Sequence, residues 1–336
     1  MKNVTIRDVA AYANVSVSTV SRALTGSADI SPDTRERVLS ACIELNYNFV
    51  RRNGAQSSRK NTLGLILPSL DNPFMSELAH NIDRQARKLN YTTLLCCSYG
   101  EQALEKSLME HMVDIQADGV LLLPINADSC APLGSLLARM PTVFVDEDLK
   151  ETSESYVAVD NFKGAYLGVE YLYGLGHRDI LYFGCRRTST THQLRADGYA
   201  AACRDYGLKP QYMNNTFPSS AIKYGYQLAK QLFAEERSHT AIFAATDTNA
   251  IGTIKAAAEH GISIPRQLSL LGFDNIHACE LPGINLTTIE QPLKILASVS
   301  LSVLLDKING GTNGYTHRIL MPTLIERGSC GAPPAL

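Results

Sequence analysis

Apolar positions recur at helical spacing through the first 47 residues, and from Leu63 onward they gather into short unbroken runs. In TIRDVAAYANVSVSTVSRAL (5–24), Ile6, Val9, Ala10 and Ala13 share one face of a first helix, which Thr5 can cap with Asp8 as its capping-box partner. Asn14 breaks the repeat, Val15 offers a buried plug, and Ser16 can cap a second helix whose apolar face is Val20, Ala23 and Leu24. After a polar loop, Ser31-Pro32 opens a third helix carrying Val38, Leu39, Cys42, Ile43 and Leu45. The pattern predicts a helix-turn-helix inside a three-helix bundle over 1–47. Residues 48–61 then turn polar and basic, with Arg51, Arg52, Arg59 and Lys60, and read as a linker.

The remainder alternates. LGLILP (63–68), TTLLCC (92–97), GVLLLP (119–124), TVFVD (142–146), VAVD (157–160), ILYFG (180–184), AIFAA (241–245) and LSLLGFD (268–274) read as buried strands. Helical patterns separate most of them, at Ser76–Leu89, Glu101–Gln116, Gly164–Leu175, Leu194–Tyr206 and Ala250–His260. Strand alternating with helix means parallel sheets covered on both faces, and 62–330 is long enough for two such lobes across a cleft. The predicted class is therefore α/β, with a helical headpiece, a linker, a two-lobed core and a short tail at 331–336.

Charge sharpens the division. Residues 1–60 carry nine Lys/Arg against five Asp/Glu, while the rest carries 22 against 28, so a basic end sits on an acidic body in a chain of net charge −2. No apolar run is long enough to cross a bilayer and no signal peptide is evident, which predicts a cytoplasmic protein. The eight cysteines show neither C-x-x-C pairing nor metal-ligand spacing, so no metal and no disulfide framework is expected.

Chemistry concentrates in two places. The second helix carries Ser16, Ser18, Thr19, Ser21 and Arg22 near its start. Small hydroxyls at a helix amino end suit phosphates, and an Arg one turn on can grip a guanine edge. The strand ends supply the other set: Asp71, Asn72 and Phe74 after the first strand, Asp146 after the fourth, Asp160-Asn161 after the fifth, then Asp247 and Asp274. Open parallel sheets bind ligands beyond such ends, where carboxylates accept from hydroxyls; each residue taken singly also suits helix capping. G-x-S-x-G, H-E-x-x-H, P-loop and G-x-G-x-x-G patterns are missing from the sequence, so it offers no enzyme signature.

The run from Thr5 to Arg22 resembles the helix-turn-helix of the LacI/GalR family of bacterial transcription regulators almost position for position. DNPF (71–74), VDNFKGA (159–165), GHRDI (176–180), RADGY (195–199), TDTNAIG (246–252), LLGFDN (270–275) and TTIEQP (287–292) extend the resemblance in order to about Arg327. It implies a periplasmic-binding-protein-like core behind the headpiece. It further implies that Val17, Ser18 and Arg22 read bases while Thr5, Ser16, Thr19 and Ser21 contact phosphates. Arg195 and Asp274 are then the ligand-clamping pair, Asp146 and Asp247 secondary hydroxyl acceptors, and Asp71, Asn72 and Phe74 the wall of the opposite lobe. In the linker, where the family places a hinge helix with a wedge leucine, this chain has Gly54, Ser57 and Ser58 and no Pro, which predicts a hinge that orders less readily.

The expected protein is a homodimeric, sequence-specific regulator, with a palindromic double-stranded operator and a sugar or sugar-acid effector that changes operator affinity. Repression with an inducer is the family's commoner arrangement; corepression and activation use the same parts. A stand-alone sugar-binding protein is the next class, opposed by the headpiece, and an enzyme the third. No cofactor, membrane or metal partner is expected.

Overall fold

The computed structural model describes residues 5–24, 30–45, 60–125, 130–149, 153–186, 189–217, 221–235, 239–311 and 314–334. Arg51, Arg52 and nearly all of the predicted hinge lie outside these residues.

Three short helices open the chain, α1 (Ile6–Tyr12), α2 (Val17–Leu24) and α3 (Pro32–Glu44). The Asp8 carboxylate accepts from the Thr5 backbone N–H at 2.7 Å and from its hydroxyl at 2.6 Å. The Ser16 hydroxyl accepts from the Thr19 backbone N–H at 3.1 Å, so both helix starts are satisfied by the residues that the sequence nominates. Between them Asn14 takes φ +52°, a left-handed turn that Asn tolerates because its short side chain bonds locally. Val9, Ala10, Ala13, Val20, Ala23, Val38 and Ala41 bury together as a small core, as the helical spacing required.

The chain joins the first lobe at Lys60, whose Nζ donates to the Ile115 carbonyl at 2.6 Å. Lobe 1 contains β1 (Thr62–Leu67), β2 (Thr92–Cys97), β3 (Gly119–Leu122), β4 (Thr142–Val145), β5 (Ser155–Val159) and, from far along the chain, β11 (His317–Leu320). Lobe 2 contains β6 (Ile180–Cys185), β7 (Gln211–Asn214), β8 (Ala241–Ala244), β9 (Ser269–Asp274), β10 (Thr287–Glu290) and β12 (Thr323–Ile325). The sheet orders are β11-β5-β4-β3-β1-β2 and β12-β10-β9-β8-β6-β7, one topology used twice. Every neighbouring pair is parallel except β10 with β12. The chain passes between lobes after β5, after β10 and after β11, so three strands of backbone connect the two bodies.

Helices α4 (Pro73–Lys88), α5 (Gln102–Asp114), α6 (Cys130–Leu137) and α11 (Leu293–Ile308) belong to lobe 1; α7 (Asn161–Gly174), α8 (Thr190–Asp205), α9 (Ile222–Ala234) and α10 (Asp247–Glu259) belong to lobe 2. Several begin about a turn before the apolar repeat becomes visible in the sequence. The reason is capping: Asp160, Ser189 and Thr246 accept from the backbone N–H groups of Lys163, His192 and Asn249 at 2.8, 3.4 and 3.3 Å. The strands β7, β10, β11 and β12 carry no long apolar run, being short or at a sheet edge, and did not stand out in the pattern. No helix among the described residues is long and apolar enough to cross a membrane. All eight cysteines are among those residues, and none is in a disulfide.

Candidate functional site

β4 and β9 hold the same place in their sheets, third from the β11 or β12 edge. Each terminates on an aspartate in the left-handed region, Asp146 with φ +65° and Asp274 with φ +123°. Such backbone is unfavourable for a residue with a Cβ and re-aims the side chain as the strand ends. Both carboxylates are buried at the carboxyl edges of the sheets, where the lobes face one another.

Arg195 comes to this place on α8. Gly198, one turn further on, abuts the Phe162 carbonyl; a Cβ there would overlap it, so the glycine lets α8 press against the start of α7. The close approach allows Arg195 Nε to donate to Asn161 Oδ1 at 2.7 Å and Nη1 to the Ala245 carbonyl at 2.7 Å. Nη1 also lies 3.2 Å from Asp274 Oδ1, and the guanidinium carbon sits 3.8 Å from the centroid of the Phe273 ring. Gln291, at the second crossing between lobes, donates from Nε2 to the same Asp274 oxygen at 2.8 Å. Burial raises the Asp274 carboxyl above its usual range, and the Arg195 charge opposes that rise.

Asp146 has no comparable support. Its Oδ1 is buried without a hydrogen-bond partner among the described residues. Burial pushes its carboxyl up from 3.8 to about 8, with Arg195 lowering it and the charges of Asp274 and Glu147 adding to the rise. Glu147 beside it is 5% exposed and likewise holds Oε1 without a partner among the described residues. A hydrogen bond to Thr190 of lobe 2 only partly offsets the burial that raises Glu147 to about 7. His192, buried in the first turn of α8, accepts at Nδ1 from the Arg186 backbone N–H at 3.2 Å. Burial and the Arg195 and Arg186 charges hold its pKa well below the ordinary value, so the ring is neutral. The lobes also touch through Glu77 of α4, whose Oε1 accepts from the His277 backbone N–H at 3.0 Å.

Other predicted effector residues fall elsewhere. Asp247 is fully buried with both oxygens engaged: Oδ1 accepts from Thr288 Oγ1 at 2.6 Å, and Oδ2 from the Ile276 N–H at 3.0 Å and the Cys279 thiol at 3.1 Å. The missing side chain of Gly272 makes room for that carboxylate. Asp247 thus ties the loop after β9 to β10, in contrast to the hydroxyl-accepting role expected of it. Asn72 caps α4 through Oδ1 to the Phe74 N–H at 3.1 Å, Phe74 is 2% exposed within the main hydrophobic core, and Asp71 is exposed. For these three the capping and packing alternative, not a ligand wall, is what the geometry displays. Phe217 stacks on Tyr224 with centroids 5.0 Å apart, while Phe162 is 40% exposed. Asn161 is one of the strand-end residues that the sequence nominates, whereas Gln291, Glu147 and His192 are not among them. Gln291 lies inside TTIEQP, which is the available signal for it.

On the headpiece, Thr5, Ser16, Val17, Ser18 and Arg22 are exposed, Val17 at 41%, while Thr19 and Ser21 are half-buried. Ser16 Oγ lies 2.7 Å from Ser18 Oγ and 2.8 Å from Thr19 Oγ1, grouping three hydroxyls at the amino end of α2.

Residues 5–48 match the model of the bacterial regulatory proteins, lacI family, and residues 169–330 match the periplasmic binding protein-like domain. The HTH-type transcriptional repressor CytR of Escherichia coli K12 is 32% identical over 340 residues, covering 98% of this chain and 97% of that protein. The lac repressor dimer solved bound to operator and the anti-inducer ONPF is 26% identical with a TM-score of 0.74, over 98% of this chain and 100% of that one. A LacI family transcriptional regulator from Enterococcus faecium with bound ribose is 27% identical with a TM-score of 0.70, over 82% of this chain and 100% of that one. The chain belongs to the lacI family of bacterial regulatory proteins, a helix-turn-helix DNA-binding domain joined to a two-lobed effector-binding domain.

Proposed function

We propose that this protein is a homodimeric transcriptional repressor of a palindromic operator, released or retained according to a small sugar-like effector held between its lobes. The observation that carries the reading is a buried, polar, incompletely satisfied constellation at the meeting edge of two lobes, on the same chain as an exposed hydroxyl-rich recognition helix. Unpaired buried oxygens are costly, and a bound hydroxyl compound supplies the donors that Asp146 and its neighbours lack. The operator and ribose carried by the structural relatives support the same assignment. Exposed Leu70, Leu95 and Tyr99 around the β2 edge, with Tyr212 on the corresponding β7 edge, favour a second copy as the partner.

Coupling follows from the three inter-lobe crossings. A ligand that bridges Asp146 of lobe 1 and the Arg195–Asp274 pair of lobe 2 favours one relative placement of the lobes, and with it one spacing of the two headpieces. Whatever factor the effector exerts on operator affinity, the operator exerts on effector affinity. Recognition rests on Val17, Ser18 and Arg22, with Thr5, Ser16, Thr19 and Ser21 at phosphates; Val17 can offer only apolar contact, as to a thymine methyl.

Enrichment of random duplex DNA by the purified protein, with and without mixed sugars and sugar acids, tests the reading. A palindrome recovered only without ligand identifies a repressor with an inducer; one recovered only with ligand identifies corepression. Recovery of no preferred sequence in either condition refutes the operator assignment. Arg22→Ala is expected to cost about 1–3 kcal/mol of specific affinity and to flatten preference at one symmetric base pair. Unchanged preference at every position removes Arg22 from the base-reading set.

A further inference from the structure

The sequence puts Lys60 at the end of a basic linker, where a phosphate contact is the ordinary expectation. The fold gives its ammonium another partner. Lys60 Nζ donates at 2.6 Å to the carbonyl of Ile115, the residue that closes α5. Carbonyls at a helix end lack intrahelical donors, and the dipole favours a cation there. Two residues on, Thr62 engages Asp118 with both backbone groups: its N–H donates to Asp118 Oδ2 at 3.0 Å, and its carbonyl accepts from the Asp118 N–H at 2.8 Å. The Asn61 carbonyl accepts from the Thr92 N–H at 2.7 Å. Chain entry into lobe 1 is thus fastened to the turn between α5 and β3 on one side and to β2 on the other.

α5 spans lobe 1 from edge to edge. It begins after the carboxyl end of β2, at the edge that faces the cleft, where Glu105, buried in its first turn, accepts at Oε2 from the Ile125 N–H at 3.0 Å. It finishes at the opposite edge, where Leu63 of β1 pairs with Gly119 of β3. Between the two ends Met112 packs so tightly on β1 that a Cβ at Gly64 would lie 2.8 Å from its sulfur. Helix and strand therefore move as one body. We propose that Lys60 is a positioning residue of the operator response and not a phosphate contact: seated on the carboxyl end of α5, it fixes where and in what direction the linker leaves lobe 1, so that a movement of that lobe reaches the headpiece. The inference rests on the operator reading above and gives a part in it to a residue outside both the recognition helix and the cleft.

Two measurements on the full-length protein test it. In hydrogen exchange without DNA, the Thr62 and Asp118 amides are expected to exchange about fivefold faster in Lys60→Met than in the parent. Against the enriched operator, Lys60→Met is expected to bind about three- to tenfold more weakly at every salt concentration, with the slope of log affinity against log salt unchanged. Asp118→Ala loosens the same joint while removing negative charge, which by itself would favour DNA; it too is expected to bind more weakly. Thermal unfolding of both variants separates a loosened joint from a failed fold. A slope shallower by about 1.8 in Lys60→Met, one phosphate per subunit, makes Lys60 a DNA contact and overturns the proposal. Unchanged exchange or unchanged operator affinity in Lys60→Met overturns it as well, as does an Asp118→Ala variant that binds like the parent. A parent that enriches no sequence refutes the operator reading and this role with it, whereas the slope and exchange outcomes refute the role of Lys60 alone.

Discussion

Asp146 and Asp274 are the same residue at the same topological place in two lobes of one design, and both end their strands with positive φ. Their surroundings differ completely. Asp274 receives a guanidinium at 3.2 Å and an amide at 2.8 Å, whereas Asp146 Oδ1 meets no donor among the described residues. The difference teaches how one topology used twice makes an asymmetric cleft: the Asp274 carboxylate of lobe 2 is paired without ligand, and Asp146 Oδ1 of lobe 1 is not. A pre-organised half fixes the ligand's orientation, and an unsatisfied half gives binding its gain.

The largest expected effect breaks the completed half. Arg195→Ala strips the charge partner from Asp274 and the donor from Asn161 and Ala245, and should cost about 3–5 kcal/mol in denaturant unfolding of the ligand-free chain. A loss under 1 kcal/mol would mean that lobe 2 is no more completed than lobe 1. Next comes Asp274→Asn, which keeps the shape and removes the charge opposite Arg195; about 2 kcal/mol is expected from the weakened charged hydrogen bonds. The equivalent change in lobe 1, Asp146→Asn, should leave ligand-free stability at neutral pH equal or higher, since it removes an unpaired buried carboxyl. Equal losses from the two substitutions would abolish the comparison.

A smaller signature appears in pH dependence. Asp146 is raised from 3.8 to about 8 by burial, so in that window the folded state holds a proton that the unfolded chain has released. Its contribution is complete below the ordinary value and is lost as pH rises through about 8. Ligand-free thermal stability should therefore fall between pH 5 and pH 9, and Asp146→Asn should flatten that fall. A slope unchanged by the substitution assigns the titration to other groups. Smallest of all is Asp71→Ala on the exposed loop of lobe 1, expected within about 0.5 kcal/mol of the parent in both stability and effector affinity.

Much of this molecule was legible in one dimension. The helix-turn-helix depends on local rules, so Thr5, Asp8, Asn14 and Ser16 could be assigned their places from spacing and capping alone. The parallel strands showed as apolar runs because both faces of each sheet are covered. What stayed hidden was the difference between an aspartate that caps or locks the fold and one that opens onto a cleft. Asp71, Asp146, Asp160, Asp247 and Asp274 all follow strands, and nothing in the linear pattern separates Asp247, engaged by Thr288, Ile276 and Cys279, from Asp146, engaged by none of its neighbours at Oδ1.

The sequence by itself determined the element types, their order, the headpiece and the candidate acids, because hydrophobic period and capping are properties of adjacent residues. Only the tertiary structure decided which acids are satisfied. Asn161, Arg195, Ala245, Asp274 and Gln291 come from five separate segments, and their hydrogen bonds exist only once α8 has closed on α7 and the chain has crossed back between the lobes.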